Sequence, residues 1–437
     1  MGAYLEGHLA PVPDEIDTFD LPVTGALPPE LAGRYFRNGP NPQPGTDPGH
    51  WFTGDGMLHG IRLRDGRAEW YRNRWVRTAK LAGAPRQRAD GTTDLAVNNA
   101  NTHIVEHAGR LLALSEGGLP HEVTCDLDTL GPRDFGGKLA TPMAAHPKQD
   151  PVSGKLYFFG YSPRPPYLTY HRLSAGGELE RSVAVDLPAP IMMHDFAITE
   201  RHVVWLDLPI TFDSGLLGRG MPFRWNDEHP TRLGVMDRDG DTRVQWFEID
   251  PCFVFHVGNA HEDAAGRIVL DAVRYEPAAF QSTWTSIGGA GETTSESGAS
   301  LHRWVLDPAT GVAKEQPLDD RKIEFPTINE DHVGRVNRYV YAVENTGSVV
   351  KYDTRSGAAR AHHLGPHHAA GEAVFVPSAG GGEDEGWLLS VVTDVAADAS
   401  RLLVLDAGSV EPVASVALPR RVPAGFHGSW IEDGEDA

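Results

Sequence analysis

Short apolar runs recur from one end of the chain to the other, at 110–115, 155–159, 202–206, 267–271, 339–343, 387–392 and 401–405. Each is rich in Leu, Val, Ile and aromatic residues and too short for a buried helix, so the pattern predicts strands. Many are followed by a turn built on Asp and Gly: Asp237 to Gly240, Asp307 to Gly311, Asp353 to Gly357 and Asp406 to Gly408. Asp bonds its own backbone and Gly accepts positive φ, so each is a hairpin signal. The intervals from Asp307 to Asp353 and from Asp353 to Asp406 are 46 and 53 residues. With about four strands per interval, this is the spacing of propeller blades. Helical periods are scarce, the best being brief segments near 28–32 and in a loop at 208–233. An array of β-sandwiches would use the same strands.

The chain has 437 residues, and nothing divides it convincingly. The Gly- and Ser-rich stretches around 287–299 and 378–386 are short and lie between strand-like runs, so they read as loops. The expectation is one domain, 1–437, with cap loops, including about 208–233, inserted between strands.

Candidate chemistry enters through four scattered motifs: Ala145-His146-Pro147-Lys148, Met193-His194-Asp195-Phe196, Phe255-His256-Val257-Gly258-Asn259-Ala260 and Gly425-Phe426-His427-Gly428-Ser429-Trp430. The gaps between the histidines are 48, 62 and 171 residues, far too wide for a local zinc knuckle. Four imidazoles converge only if the fold is a ring that brings distant strands to one axis, and a single propeller does that better than a sandwich array. Neutral imidazole suits Fe, Zn, Cu and Ni. Taken singly, a His beside aromatic residues is more often a hydrogen-bonded core residue, and the chain has 20 histidines. The densest group, His362, His363, His367 and His368, lies beside turn residues and reads as a solvated loop. Three glutamates sit where strands meet apolar neighbours: Glu116, Glu324 and Glu372. Metal-bound His usually donates its second ring N–H to such a carboxylate, and buried carboxylates are costly unless paired.

Charge and cysteine content exclude some classes. A formal charge of −21 makes nucleic acid an unsuitable partner. Cys125 and Cys252 have no neighbouring partner, which fits a reducing cytoplasm rather than a disulfide scaffold. The first 20 residues are polar with five acidic side chains, unlike a signal peptide. No apolar run is long enough to span a membrane.

Taken in order, the motifs resemble the carotenoid cleavage oxygenases, a family of non-haem iron(II) dioxygenases that includes apocarotenoid and lignostilbene-type enzymes. Gly33 to Pro42 and His50 to Gly60 match the family's opening signature, and Arg110 to Pro120 and the four histidine motifs follow in the family's order. The resemblance implies an all-β, seven-bladed β-propeller with a cap of loops and short helices over an axial metal site. It implies Fe(2+) held by His146, His194, His256 and His427, and O2 as co-substrate. Glu116, Glu324 and Glu372 would orient His194, His256 and His427 respectively, leaving His146 without a carboxylate. Asp55 and His59 would serve packing. The expected reaction cleaves a C=C bond of a carotenoid or apocarotenoid into carbonyl products.

A tunnel for such a lipophilic alkene should be lined by aromatic residues, and Phe52, Trp75, Tyr161, Tyr167, Phe196, Phe255, Trp284 and Trp430 are candidates, although core packing explains aromatics equally well. Stilbene-cleaving relatives carry a lysine just before the first of the three glutamates, where this chain has Ser115. That favours polyenes, with cleavage of a stilbenoid or phenylpropanoid alkene to aromatic aldehydes as the alternative. His261 stands where the family commonly has an aromatic residue. In the family the stretch equivalent to 208–225 lies near the tunnel mouth and can dip into a membrane, so a cytoplasmic protein with peripheral membrane contact is an open expectation. No obligate protein partner is evident. A metal-free propeller acting as an interaction platform would explain the blades but not the ordered His and Glu motifs; a hydrolase propeller would favour Ca²⁺ and carboxylate ligands.

Overall fold

The computed structural model describes residues 2–289, 298–345 and 347–434. Part of the 287–299 loop expectation therefore lies outside the described residues. The fold is a seven-bladed β-propeller with 44% strand and 6% helix, so strands carry the architecture. By backbone contacts the chain divides into two compact units.

The first unit comprises residues 1–133, 341–352 and 358–437. One of its sheets pairs Gly33–Pro40 with Gly56–Arg64 on one side and with the C-terminal strand Gly428–Glu432 on the other. In another, Val23–Gly25 lies against Pro412–Ala417. Early and late segments thus share two sheets, which ties the two ends of the chain together through strand pairing. A third sheet runs in order from His103–His107 to Thr129–Pro132.

The second unit comprises residues 134–340 and 353–357. It holds three four-stranded antiparallel sheets, beginning with Lys148–Gln149, Ala197–Ile198 and Phe253–Glu262. Its core places Phe196 against Trp205 with ring centroids 5.6 Å apart and Phe159 edge-on to Trp205 at 6.1 Å. All three side chains are fully buried, each contributing roughly 1.5–3 kcal/mol relative to an exposed one. A seventh sheet runs from Ile323–Thr327 through Tyr339–Glu344 and Ser348–Asp353 to Ala358–His363.

The four Asp-Gly turns occupy one equivalent place, each joining the third and fourth strands of its sheet. At Asp307 the carboxylate accepts from the Ala309 N–H at 3.0 Å, and Gly311 takes φ 74°. Two turns depart from this pattern: Gly240 does not take positive φ, and in the Asp406 turn the left-handed residue is Val410, φ 56°, rather than Gly408. Two insertions also share a place, between the second and third strands. The 208–233 segment forms a hairpin, Ile210–Phe212 with Phe223–Trp225, and a single helical turn at Ser214–Leu216. The second insertion carries the α-helix Pro277–Ser286. In an antiparallel meander the second-to-third link emerges at the end where the first strand begins. His194 and His256 lie at that same end of their sheets. No helix forms at 28–32, where the chain turns into Gly33–Pro40.

Candidate metal centre

Each of the four histidines sits at or near the start of an edge strand. His146 precedes Lys148–Gln149, His194 precedes Ala197–Ile198 and His427 directly precedes Gly428–Glu432. His256 lies inside Phe253–Glu262, where the register with the next strand slips between Val254 and Val257 and again between Val257 and Asn259. Such a bulge re-aims side chains that regular alternation would fix.

The structure brings the four together: His146, His194, His256 and His427 each offer a ring nitrogen, and these atoms lie within 4.8 Å of one another. The Nε2 atoms of His146 and His194 are 3.1 Å apart. Ring centroids are 4.6 Å apart for His146 and His194, 5.2 Å for His146 and His256, and 5.1 Å for His194 and His256. All four residues are largely buried, at 9% exposure or less.

Two carboxylates fix two of the rings. Glu324 Oε2 lies 2.6 Å from His256 Nδ1 and also accepts the Phe325 N–H at 2.6 Å. Its Oε1 accepts the Tyr275 hydroxyl at 2.8 Å. Tyr275 is fully buried, and burial, reinforced by the Glu324 charge, holds its phenol well above the usual range. Phe325 adopts φ 54° and stacks on His256 at 5.1 Å. Glu372 Oε1 lies 3.0 Å from His427 Nδ1, while its Oε2 accepts the Gly428 N–H at 2.8 Å. Gly428 is required there, since a Cβ would lie 2.7 Å from the Tyr35 hydroxyl and 2.8 Å from Val374 Cγ2. With both Nδ1 atoms engaged by carboxylates, Nε2 is the nitrogen of His256 and His427 available to a metal.

Glu116 is half-buried just past the strand Arg110–Leu114, and its neighbour Ser115 donates to Asn98 Oδ1 at 3.1 Å. His59 is buried and hydrogen-bonds the Tyr71 hydroxyl at 2.8 Å through Nδ1, while Asp55 pairs with Lys80 at 2.7 Å. His363 and His367 are exposed and His362 and His368 half-buried, at the ends of two strands around a turn.

The aromatic residues divide by location. Phe255 meets His194 edge-on at 5.4 Å, and Phe52 meets Phe426, the neighbour of His427, at 5.4 Å. Trp284 stacks on Phe280, which in turn stacks on Phe255 at 5.9 Å. Phe196, Tyr161 and Tyr167 pack in or against the Phe159 and Trp205 core, Trp430 against the core around Tyr35, and Trp75 donates to the Asn41 carbonyl at 2.7 Å. His261 is half-buried five residues along the strand from His256, with its pKa lowered by burial. Sequence reasoning gave no role to Tyr275 or Phe325, which carry no periodic signal, and none to Phe426, although it stands inside the His427 motif.

The family model described as retinal pigment epithelial membrane protein matches residues 9–432. A Mycobacterium tuberculosis protein named carotenoid cleavage oxygenase is 39% identical, over 98% of this chain and 97% of its own length. This chain belongs to the carotenoid cleavage oxygenase family. Within the family, the carotenoid 9,10(9',10')-cleavage dioxygenase 1 of Arabidopsis thaliana is 35% identical over 98% of this chain and 90% of its own. Among solved structures, a cobalt-substituted Synechocystis apocarotenoid oxygenase has a TM-score of 0.83 at 30% identity, covering 97% of each chain. The lignostilbene dioxygenase of Pseudomonas brassicacearum has a TM-score of 0.87 at 28% identity, covering 98% of each.

The donor set suits a metal of the imidazole-binding group. Two Nε2 lone pairs 3.1 Å apart repel unless a proton or a cation lies between them. That distance is what two neighbouring ligands adopt around an ion held at about 2.1 Å from each.

Proposed function

We propose that this carotenoid cleavage oxygenase is an iron(II)-dependent dioxygenase that cleaves a C=C bond of a carotenoid or apocarotenoid into two carbonyl products. The observation that carries this reading is the convergence of His146, His194, His256 and His427, two of them braced by Glu324 and Glu372. Glu116 is assigned the same role behind His194. Bound there, ferrous iron would supply a site where O2 can be taken up and directed at a nearby alkene. Alkene plus O2 balances to two carbonyls, so no external reductant or organic cofactor is needed. Four neutral imidazoles leave the metal its full charge, unlike a ligand set containing a carboxylate.

The chain's own residues orient and exclude. Glu324 and Glu372 hold His256 and His427 in one tautomer and one ring orientation. Phe255 and Phe325 present apolar surface beside His194 and His256, which favours a lipophilic substrate and keeps water away. Trp284 extends the wall behind Phe255. Residues 1–437 are read as one catalytic domain, which the continuous match over 9–432 supports.

Ser115 supports the polyene reading: its hydroxyl is committed to Asn98, and no cation stands at this position to hold a phenolate. The stilbenoid alternative draws on the match to the lignostilbene dioxygenase. Incubation with a panel of apocarotenals and hydroxystilbenes, followed by mass spectrometry of the aldehydes, separates the two. Products from apocarotenals alone are expected; products from hydroxystilbenes alone would replace the polyene reading.

Among the described residues, no helix is long and apolar enough to cross a membrane. A cytoplasmic location with shallow membrane contact through the tip of the 208–225 hairpin is part of the proposal, supported by Leu217, which is 60% exposed. Sedimentation with liposomes that is unchanged after substitution of Leu216, Leu217 and Met221 by Ser would sink it.

A further inference from the structure

The residue that follows His194 is a carboxylate removed from solvent, with Asp195 only 1% exposed. Its oxygens collect three donors. Oδ1 lies 2.8 Å from Lys148 Nζ and accepts the Phe196 N–H at 2.7 Å, while Oδ2 accepts the Val257 N–H at 2.8 Å. Each donor belongs to a different histidine-bearing segment. Lys148 lies two residues after His146, Phe196 two after His194, and Val257 directly after His256. The Val257 N–H goes to this carboxylate because the bulge around His256 interrupts the ladder, and a bulge leaves a backbone donor that must find another acceptor.

We infer that Asp195 is a positioning residue that ties three histidine-bearing segments together and so sets the spacing of His146, His194 and His256. The inference rests on the proposed metal-dependent function. A carboxylate suits this place because both oxygens accept at once. An amide would turn its nitrogen toward one of the three donors, and Ala would remove all three bonds. Lys148 lies 2.8 Å from Asp195 Oδ1 and gives the buried carboxylate a charged hydrogen-bond partner. It also links the His146 segment, whose histidine has no carboxylate assigned to it.

The test compares the metal-loaded parent with Asp195→Ala, Asp195→Asn and Lys148→Met, using Asp207→Asn as control. Asp207 is a fully buried carboxylate of the same unit that bonds His229 at 2.7 Å and Arg232 at 2.8 Å, neither of them one of the four histidines. Metal dissociation constants are measured by chelator competition, and the ligand field by visible absorption of the cobalt-loaded proteins. Asp195→Ala should weaken metal binding about 10–100-fold, the range for residues that orient ligands, and shift the cobalt bands. Asp195→Asn should fall between it and the parent. Asp207→Asn should lower Tm while leaving dissociation constant and bands as in the parent. Dissociation constants within twofold of the parent in the Asp195 variants, with a fall in Tm like that of Asp207→Asn, would overturn the inference. If the Asp195 variants do not fold, Lys148→Met decides: weakening by threefold or more supports the tie, and parental binding refutes it. A parent chain that binds neither iron nor cobalt would instead overturn the functional reading beneath it.

Discussion

Glu324 and Glu372 do the same thing to two different histidines, yet the structure supports them in unlike ways. Glu372 is gripped by adjacent residues of one segment, His427 on one oxygen and the Gly428 backbone on the other. Glu324 spends one oxygen on His256 and the Phe325 N–H, and gives the other to a phenol on a neighbouring strand. One brace is closed by backbone and has no room for change, as the contacts of a Cβ at Gly428 show. The other ends on a hydroxyl, which can donate or accept. The same chemical task is therefore rigid at one histidine and adaptable at the other.

Replacing each carboxylate by its amide should expose the difference most strongly. In Glu372→Gln the amide nitrogen must face either the His427 N–H or the Gly428 N–H, both donors, so metal affinity should fall about 10–100-fold. In Glu324→Gln the amide oxygen can serve His256 and Phe325 while the nitrogen donates to Tyr275. Affinity should then stay within a fewfold of the parent, with stability lowered by about 1–3 kcal/mol because the phenol proton loses its acceptor. Chelator competition and urea denaturation measure the two quantities, and equal losses of affinity would erase the distinction.

Gly428→Ala should cost about 1–3 kcal/mol of stability through overpacking against Tyr35 and Val374, and should weaken metal binding as the Glu372 bond is displaced. Adding Tyr35→Phe removes the hydroxyl 2.7 Å from the new Cβ and should recover part of both losses. No recovery would mean that Val374 or the backbone sets the limit. Tyr275→Phe deletes one donor to Glu324 and should lower stability by about 1.5–3 kcal/mol, with metal affinity reduced less than tenfold.

Acid should act on the fold through buried histidines outside the four. Burial pulls the His50 imidazole down to about 3 and that of His171 down to about 4. Unfolding returns them to about 6.5, so the unfolded chain takes up protons first as pH falls. Stability should decline from about pH 6.5 towards 4. Urea midpoints of the parent should fall over that range, and midpoints unchanged between about pH 6.5 and 4 would contradict the role of these histidines.

The parts of this molecule legible in the sequence are those written in contiguous residues. Asp307 to Gly311 and Asp353 to Gly357 announce their turns because an Asp side chain and a Gly of positive φ act within five residues. The turn at Asp406 shows the limit, since Val410 rather than Gly408 takes the left-handed place. The helix Pro277–Ser286 was invisible because its buried residues Ala279, Phe280 and Trp284 make too short a stripe. The histidines stood out through ordered motifs, as did Glu324 and Glu372. Tyr275, the bulge at His256 and the three donors on Asp195 did not, since each depends on which strand pairs with which and by what register.

The central claim is that four convergent imidazoles hold the iron that makes cleavage possible. The most direct measurement is iron per chain and apocarotenal turnover in the same preparations of parent, His256→Ala and His427→Ala. The account predicts near one iron per chain in the parent, turnover that scales with bound iron, and loss of both in each variant. Turnover that persists in iron-free protein would contradict it.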